Sequence, residues 1–215
     1  MGNKSRELKL LFPIIEQHIT KDTIFVEPFC GSCVVSFNVY KKHGVKIHVN
    51  DIDKIRIQFY NNMKDEKKRE EFYILQDECL KPDGDKYYYE ILGKNRCNMN
   101  KEYNGYIISR TIYNFRNGLY PTTKKANNKK ISENWINYFN NATITNEYYK
   151  IILDEYKDNE NAFLYLDPPY VDSYNAGYSA NTEKSYDGDM NIIDITKNYI
   201  DSLDILNVSA RNCLV

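Results

Sequence analysis

An apolar run that ends in an acid and two prolines limits the fold more than any other feature of this chain. The run reads "AFLYLDPPY" and spans residues 162–170. Neither proline has a backbone N–H, so the pair cannot continue a central strand. The pattern therefore predicts a buried strand from Ala162 to Leu166 and a rigid turn from Asp167 to Tyr170. Because open α/β sheets bind ligands at the carboxyl ends of their strands, this turn is a candidate site.

A βαβ unit near the N-terminus indicates that the sheet is parallel. Residues 23–26 are rich in β-formers and are followed by Pro28. Residues 34–42 have a helical pattern that Gly44 ends, and apolar residues then alternate over 45–49 as in a strand. A strand, a helix and a second strand within about thirty residues form one βαβ unit. The chain is thus predicted to be an α/β protein.

The remaining pattern is mostly helical. Residues 5–19 carry leucines and isoleucines at helical spacing, and residues 54–80 form a long charged segment that is predicted to be helical. A turn is predicted at 81–85, and further helices at 133–140 and 147–156. The sequence has no run of about 18 apolar residues, so no transmembrane helix is predicted.

The N-terminus and the cysteines predict an intracellular protein that is not secreted. The first six residues have no apolar core and do not form a signal peptide. Five cysteines, an odd number, indicate reduced thiols rather than a disulfide framework.

The turn after the first predicted strand has the features of a nucleotide-binding corner. "FVEPFCGSC", residues 25–33, combines a strand, a turn with Gly31 and the start of a helix. Asp51 follows about twenty residues later at the tip of the next strand, where an acid can accept hydrogen bonds from a ribose. An acid at this place can also serve only as a helix cap, and that alternative stays open.

The same turn contains a C-x-x-C pair, Cys30 and Cys33. Such a pair at the start of a helix can be a thiol redox centre or half of a zinc site. The sequence has no second C-x-x-C or histidine pair to complete a metal site, and its flanking residues do not favour a redox domain. We therefore interpret Cys33 as a packing residue and expect no metal.

A strongly basic segment lies in the middle of the chain. Residues 93–130 carry nine basic residues and one acid, a formal charge of +8 in a chain whose net charge is −1. Tyrosines and amides lie between these charges, a pattern that favours nucleic-acid binding. The alternative is a solvated, lysine-rich surface.

The Asp-Pro-Pro-Tyr turn fits one kind of chemistry well. The exocyclic amine of an aromatic base is a poor nucleophile because its lone pair is conjugated with the ring. The Asp167 carboxylate and a rigid backbone carbonyl can accept the two N–H bonds of such an amine and leave its lone pair facing an electrophile. The ring of Tyr170 offers a stacking face for a base that has left its duplex. The prolines hold the carbonyl in place, which is a form of preorganisation.

Five stretches together resemble the Dam-type DNA adenine-N6 methyltransferases of the DPPY, class alpha, group. They are residues 2–4, 25–31, 50–53, 109–120 and 167–170, in the same order as in the family. The resemblance implies a Rossmann-like methyltransferase core with a helical, basic target-recognition insertion. It divides the chain into a cofactor-binding half at 1–92, the insertion at 93–145 and a catalytic half at 146–215.

The resemblance also implies a site-specific methyl transfer from S-adenosylmethionine to the exocyclic amine of adenine in double-stranded DNA. The implied catalytic residues are Asp167, Pro168, Pro169 and Tyr170. The implied cofactor-binding residues are Lys4, Glu27, Phe29, Gly31, Asp51 and Asp167. The implied DNA-binding residues are Arg110, Tyr113, Asn114, Arg116, Asn117, Lys124, Lys125, Lys129 and Lys130. No metal is needed, because the sulfonium is already an activated electrophile.

Two departures and two alternatives accompany the resemblance. Cys33 stands where the family has a second glycine, and the last residues, "DILNVSARNCLV", supply at best one of the strands that follow the catalytic motif in the family. An inactive, truncated DNA-binding remnant is therefore one alternative. Methylation of the cytosine amine is another. A restriction endonuclease as a partner stays an open expectation.

Overall fold

The computed structural model describes residues 7–80, 113–116, 120–124, 130–168 and 213–214. The helices in these ranges are α1 (Leu8–Glu16), α2 (Val34–His43), α3 (Lys54–Asn62), α4 (Glu66–Leu80), α5 (Glu133–Asn141) and α6 (Tyr149–Tyr156). The strands are β1 (Ile24–Glu27), β2 (Lys46–Asn50), β3 (Tyr113–Arg116), β4 (Tyr120–Lys124), β5 (Ala142–Thr145), β6 (Ala162–Tyr165) and β7 (Cys213–Leu214). In the described ranges, no helix is long and apolar enough to cross a membrane.

The main sheet is parallel and has the strand order β5-β2-β1-β6-β7. The chain runs outward from β1 through β2 to β5 and then crosses to the other side of β1 to form β6. Strand order therefore reverses between β1 and β6, and this gap is the topological switch point where such sheets bind ligands. The predicted Rossmann-like core is confirmed.

Layers of helix cover both faces of the two central strands. Phe25 and Phe163 point to one face, where their rings stack with centroids 5.5 Å apart beneath α1, α2 and α5. Val26 and Leu164 point to the other face and pack against α6. Since both faces are buried, β6 and the first three residues of β1 are continuously apolar instead of alternating. This explains why the run that ends at Asp167 has no polar residue.

The predicted helical segment over residues 54–80 is found as two helices, α3 and α4. Residues 63–65 interrupt it: Met63 turns fully into the core, and the side chain of Asp65 accepts a hydrogen bond from the Lys68 N–H at 2.9 Å and caps α4. The exposed residues of α3 are polar and those of α4 are mostly charged, so the polar pattern runs through the break. The other predicted helices and strands within the described residues are found, with ends shifted by a few residues.

Two strand regions were not predicted. β5, "ATIT", follows α5 without any turn residue and adds the outer strand beside β2. β3 and β4 form an antiparallel hairpin in the basic segment, with Arg116 opposite Tyr120. The helical character predicted for the rest of the insertion lies outside the described residues.

Residues before and after the segment 81–129 contact each other at the edge of the core. Tyr73 of α4 accepts a hydrogen bond from the Ile131 N–H at 3.2 Å. The ammonium group of Lys130 lies 5.0 Å from the centre of the Tyr73 ring and 3.7 Å from Glu70. The chain therefore returns to the core beside the helix from which it departs. We call this contact between Tyr73, Lys130 and Ile131 the stem.

Candidate active site

The candidate site begins where β1 and β6 end side by side. Val26 pairs with Leu164, so the residues that follow each strand leave the sheet at the same edge. Glu27 is the last residue of β1, and after β6 the chain continues to Asp167, which is half-buried, and to Pro168, which is buried. The predicted turn thus lies at the switch point.

Glu27 is a buried acid at this edge, and only 3% of its surface is exposed. Its Oε2 accepts a hydrogen bond from the Ser36 N–H of α2 at 3.4 Å. Burial raises the pKa of Glu27 to about 8, and the nearby charges of Asp167 and Asp51 add to the rise. The carboxyl group is therefore neutral at pH 7 unless a cation approaches it.

The turn from β1 to α2 depends on two residues in the left-handed backbone region. Gly31 has φ +48°, and Cys33 has φ +56°. A Cβ at Gly31 would meet no atom within 4 Å, so backbone conformation rather than space favours glycine there. Cys33 adopts the conformation despite its side chain, which is fully buried in the core. The space above Gly31 leaves its backbone open to a ligand.

The Asp51 carboxylate joins the ends of β1 and β2. Its Oδ2 accepts hydrogen bonds from the Gly31 N–H at 2.9 Å and from Arg56 Nη1 at 2.6 Å. Its Oδ1 accepts from the Asp53 N–H at 2.9 Å. The cap of α3 is instead Asp53, whose Oδ1 accepts from the Arg56 N–H at 3.2 Å. Asp51 is therefore not the helix cap that the sequence left as an alternative.

Asn50 fixes the neighbouring strand ends and is 1% exposed. Its amide group donates to the carbonyls of Pro28 at 3.1 Å and Glu147 at 3.0 Å. Its oxygen accepts from the Glu147 N–H at 2.8 Å and the Thr145 hydroxyl at 2.9 Å. One buried side chain thus ties the ends of β1, β2 and β5 together, which makes this edge of the sheet rigid.

Two residues of α3 complete the corner, and sequence reasoning missed both. Arg56 contacts Asp51 as described and also Asp53, with Nη2 3.1 Å from its Oδ2. The hydroxyl of Tyr60 donates to the Gly31 carbonyl at 2.6 Å. Their spacing of four residues places them on one face of the helix, and this spacing after two acids was the available signal.

A known protein family matches this chain over nearly its whole length. The model of the D12 class N6 adenine-specific DNA methyltransferases matches residues 1–212 of the chain. That range includes the glycine turn, Asp51 and the Asp-Pro-Pro-Tyr turn.

This chain belongs to the D12 class N6 adenine-specific DNA methyltransferase family.

The family resemblance inferred from the motifs is confirmed, and it is a family of enzymes that methylate adenine in DNA. A search of curated proteins finds no match for the chain. In the described part of the methyltransferase, no group of three or more histidine, cysteine or acidic side chains is arranged to hold a metal ion.

Most of the predicted cofactor residues of the methyltransferase meet at one edge. Glu27, Gly31, Asp51 and Asp167 lie at the carboxyl ends of β1, β2 and β6. The half-buried ring of Phe29 packs beside them against Tyr149 of α6, with ring centroids 5.2 Å apart. Lys4 lies outside the described residues, as do Pro169 and Tyr170 of the predicted catalytic set.

The predicted DNA-binding residues are described only in part. Tyr113, Asn114 and Arg116 belong to β3, and Lys124 belongs to β4. Lys130 is exposed at the stem. The others lie outside the described residues; they are Arg110, Asn117, Lys125 and Lys129.

Proposed function

We propose that this methyltransferase transfers a methyl group from S-adenosylmethionine to the N6 amine of adenine within a specific sequence of duplex DNA. The observation that carries the proposal is the convergence of the Gly31 turn, Asp51 and the Asp167-Pro168 turn at the switch point. The family supplies the target base, and this edge of the sheet supplies suitable groups for both a nucleoside cofactor and an amine.

The residues at the switch point fit S-adenosylmethionine by charge and hydrogen-bonding capacity. This cofactor carries a sulfonium and an ammonium cation, and when bound it supplies the methyl group as an activated electrophile. The acids Glu27 and Asp167 favour a cation at the end of β1 and β6. Asp51 offers acceptor capacity for a ribose hydroxyl, and the open face of Gly31 allows close approach. By the family resemblance, Lys4 and Phe29 complete this pocket.

The turn at the end of β6 would orient the target amine. The Asp167 carboxylate and the Pro168 carbonyl each accept one N–H of the amine, so its lone pair points toward the methyl group. Pro169 restricts the backbone that carries the carbonyl, and Tyr170 stacks on the base after it has left the duplex. These groups act by position and electrostatics, and no covalent enzyme intermediate is required.

The basic segment would bind the DNA around the flipped base. A two-stranded ribbon such as β3-β4 is narrow enough to enter the major groove, where an arginine can read guanine. Arg110 and Arg116 are the proposed readers, with Tyr113, Asn114 and Asn117 beside them. The lysines would contact phosphates in a sequence-independent way; they are Lys124, Lys125, Lys129 and Lys130.

The test is transfer of labelled methyl groups from S-adenosylmethionine to unmethylated duplexes that cover all short sequences. Asp167→Ala should reduce the rate by a hundredfold or more, because it removes one preorganised acceptor. Asp154→Ala is the matched control, since Asp154 is an exposed acid of α6 that pairs only with Lys157 among the described contacts. This control should retain the wild-type rate.

Two outcomes would contradict the proposal. One is a wild-type protein that folds and binds S-adenosylmethionine but labels no adenine. The other is an Asp167→Ala variant that is as active as the Asp154→Ala control. Labelling of cytosine instead of adenine would keep the catalytic turn and change the target base.

A further inference from the structure

The backbone of Gly31 is held from both sides by side chains of other elements. Its N–H donates to Asp51 Oδ2 at 2.9 Å, and its carbonyl accepts from the Tyr60 hydroxyl at 2.6 Å. The N–H and the carbonyl belong to successive peptide planes, so the two bonds together fix both φ and ψ of this residue. Glycine is the residue with the greatest backbone freedom, and this is where such a restraint changes the turn most.

Tyr60 is well placed to keep its bond to Gly31. Its ring is buried and stacks on Phe139 of α5, with centroids 5.1 Å apart. Burial raises the pKa of Tyr60 well above its usual value, so the hydroxyl stays protonated and can donate at any physiological pH. The contact is thus a fixed part of the fold and not a surface hydrogen bond.

Arg56 holds the other partner of Gly31. Its guanidinium group spans Asp51 and Asp53, at 2.6 Å and 3.1 Å, and all three side chains are about nine-tenths buried. The fork contacts Oδ2 of Asp51 and not Oδ1. Because a carboxylate oxygen can accept two hydrogen bonds and Oδ1 accepts one from the Asp53 N–H, Oδ1 has capacity for a ribose hydroxyl.

We propose that Arg56 and Tyr60 are positioning residues for cofactor binding. Together they hold the Gly31 turn and turn the Asp51 carboxylate so that Oδ1 faces the ribose. The inference rests on the proposed function, since it takes the cofactor to lie at this turn. Lysine cannot replace Arg56 fully, because a single ammonium group does not reproduce the planar fork that spans two carboxylates.

The test uses two conservative variants, each with a matched control. Tyr60→Phe removes the bond to Gly31, whereas Tyr156→Phe removes a comparable hydroxyl bond to His48 at 2.9 Å. Arg56→Lys removes the fork, whereas Arg69→Lys alters an arginine that donates to the Met63 carbonyl at 2.7 Å. Affinity for S-adenosylmethionine is measured by calorimetry and stability by urea unfolding, on the full chain.

We expect Tyr60→Phe to bind the cofactor about fivefold more weakly and Arg56→Lys about tenfold more weakly, the range for one neutral and one charged hydrogen bond. Both controls should bind within twofold of wild type. KM for the cofactor should rise while kcat at saturation stays unchanged. S-Adenosylhomocysteine should weaken by the same factor as S-adenosylmethionine, because the two molecules share the ribose.

The outcomes separate this inference from the proposed function. Wild-type affinity in Tyr60→Phe and Arg56→Lys would overturn it, and so would equal losses in the variants and their controls, which would mean general destabilisation. If Arg56→Lys fails to fold, Tyr60→Phe alone decides, because it removes only one oxygen atom. A folded wild type that binds neither molecule would instead overturn the proposed function, and this inference with it.

Discussion

Two corners of the same sheet edge differ in how they hold their carboxylates. In the Asp51 corner, formed by Gly31, Asp51, Asp53, Arg56 and Tyr60, the two carboxylates share a buried guanidinium group and backbone donors. In the Glu27 corner, formed by Glu27, Ser36 and Asp167, the acids reinforce each other, and burial raises the pKa of Glu27 to about 8. Within the described residues, no ion pair involves Glu27.

The difference matches the two ends of the proposed cofactor. The Asp51 corner, whose two carboxylates share one guanidinium group, suits a neutral sugar, because hydroxyl groups need fixed acceptors. A buried acid with a raised pKa, such as Glu27, suits a cation, whose arrival lets the acid ionise. The Asp51 corner therefore holds its acids by a guanidinium group of the fold, whereas the Glu27 corner contains a buried acid that a bound cation would help to ionise.

The largest expected effect is the loss of unfolding free energy when Arg56 is neutralised. Arg56→Met leaves two buried carboxylates without their shared cation, and breaking a buried pair in this way costs about 3–5 kcal/mol of unfolding free energy. Arg69→Met, the control, loses one bond to a backbone carbonyl and should cost about 1 kcal/mol. Urea unfolding at pH 7 measures both.

A second measurement checks whether the cost comes from charge. Adding Asp51→Asn and Asp53→Asn to Arg56→Met should recover part of the lost stability, since no uncompensated charge then remains buried. If the triple variant were less stable than Arg56→Met, the corner would depend on packing and not on charge balance.

The Glu27 corner should respond to neutralisation in the opposite direction. The pKa of Glu27 is raised from 4.5 to about 8 by burial, so its carboxyl group is destabilised as an anion in the folded state. Below pH 4.5 Glu27 is protonated in both the folded and the unfolded state and does not reduce the free energy of unfolding. As pH rises from 4.5 to about 8, the unfolded state loses this proton first, so the free energy of unfolding falls progressively. Glu27→Gln should remove that loss and make the protein more stable at pH 7, by about 3 kcal/mol at most.

The check is unfolding free energy against pH between 4 and 8.5 for both proteins. The two curves should meet at low pH and diverge as pH rises. Glu16→Gln is a suitable control, because Glu16 is a surface acid whose pKa is lowered by its hydrogen bond to Lys42. A wild-type curve that stays parallel to the Glu27→Gln curve would show that Glu27 is ionised at no cost.

The smallest expected effect is a change in ligand preference. An ionised Glu27 attracts the sulfonium of S-adenosylmethionine, whereas S-adenosylhomocysteine lacks that charge. At pH 8, Glu27→Gln should therefore reduce the preference for S-adenosylmethionine over S-adenosylhomocysteine by up to about tenfold. Tyr60→Phe should leave this affinity ratio unchanged. A change of the ratio in both variants would show that the two corners do not act separately on the cofactor.

The sequence predicted the parts of this site that have local causes. Proline cannot continue a strand, so Asp167 was placed at a strand end from its neighbours alone. A glycine between a strand and a helix is a local signal too, and Asp51 followed from the length of one βαβ unit. The fold class was accessible for the same reason, because one βαβ unit indicates a parallel sheet.

The parts that were missed depend on tertiary contacts. The interruption at residues 63–65 was not predicted, because Met63 turns into a core that the sequence alone does not show. β5 is a strand because β2 has an open edge beside it. Arg56 and Tyr60 matter because α3 packs over the Gly31 turn, and before that packing is known they are a polar and an aromatic residue in a charged helix.

Because of the stem, residues 81–129 can change without a change in the sheet that carries the candidate site. Tyr73 and Ile131 already bring the ends of residues 81–129 together, so the core carries the entropic cost of closing that loop. Each doubling of a flexible loop adds only about 0.6 kcal/mol to this cost. Insertions, deletions or wholesale replacement between the two ends should therefore leave the sheet that carries Gly31, Asp51 and Asp167 intact, and, if this segment reads DNA as we propose, they would alter the sequence that is read.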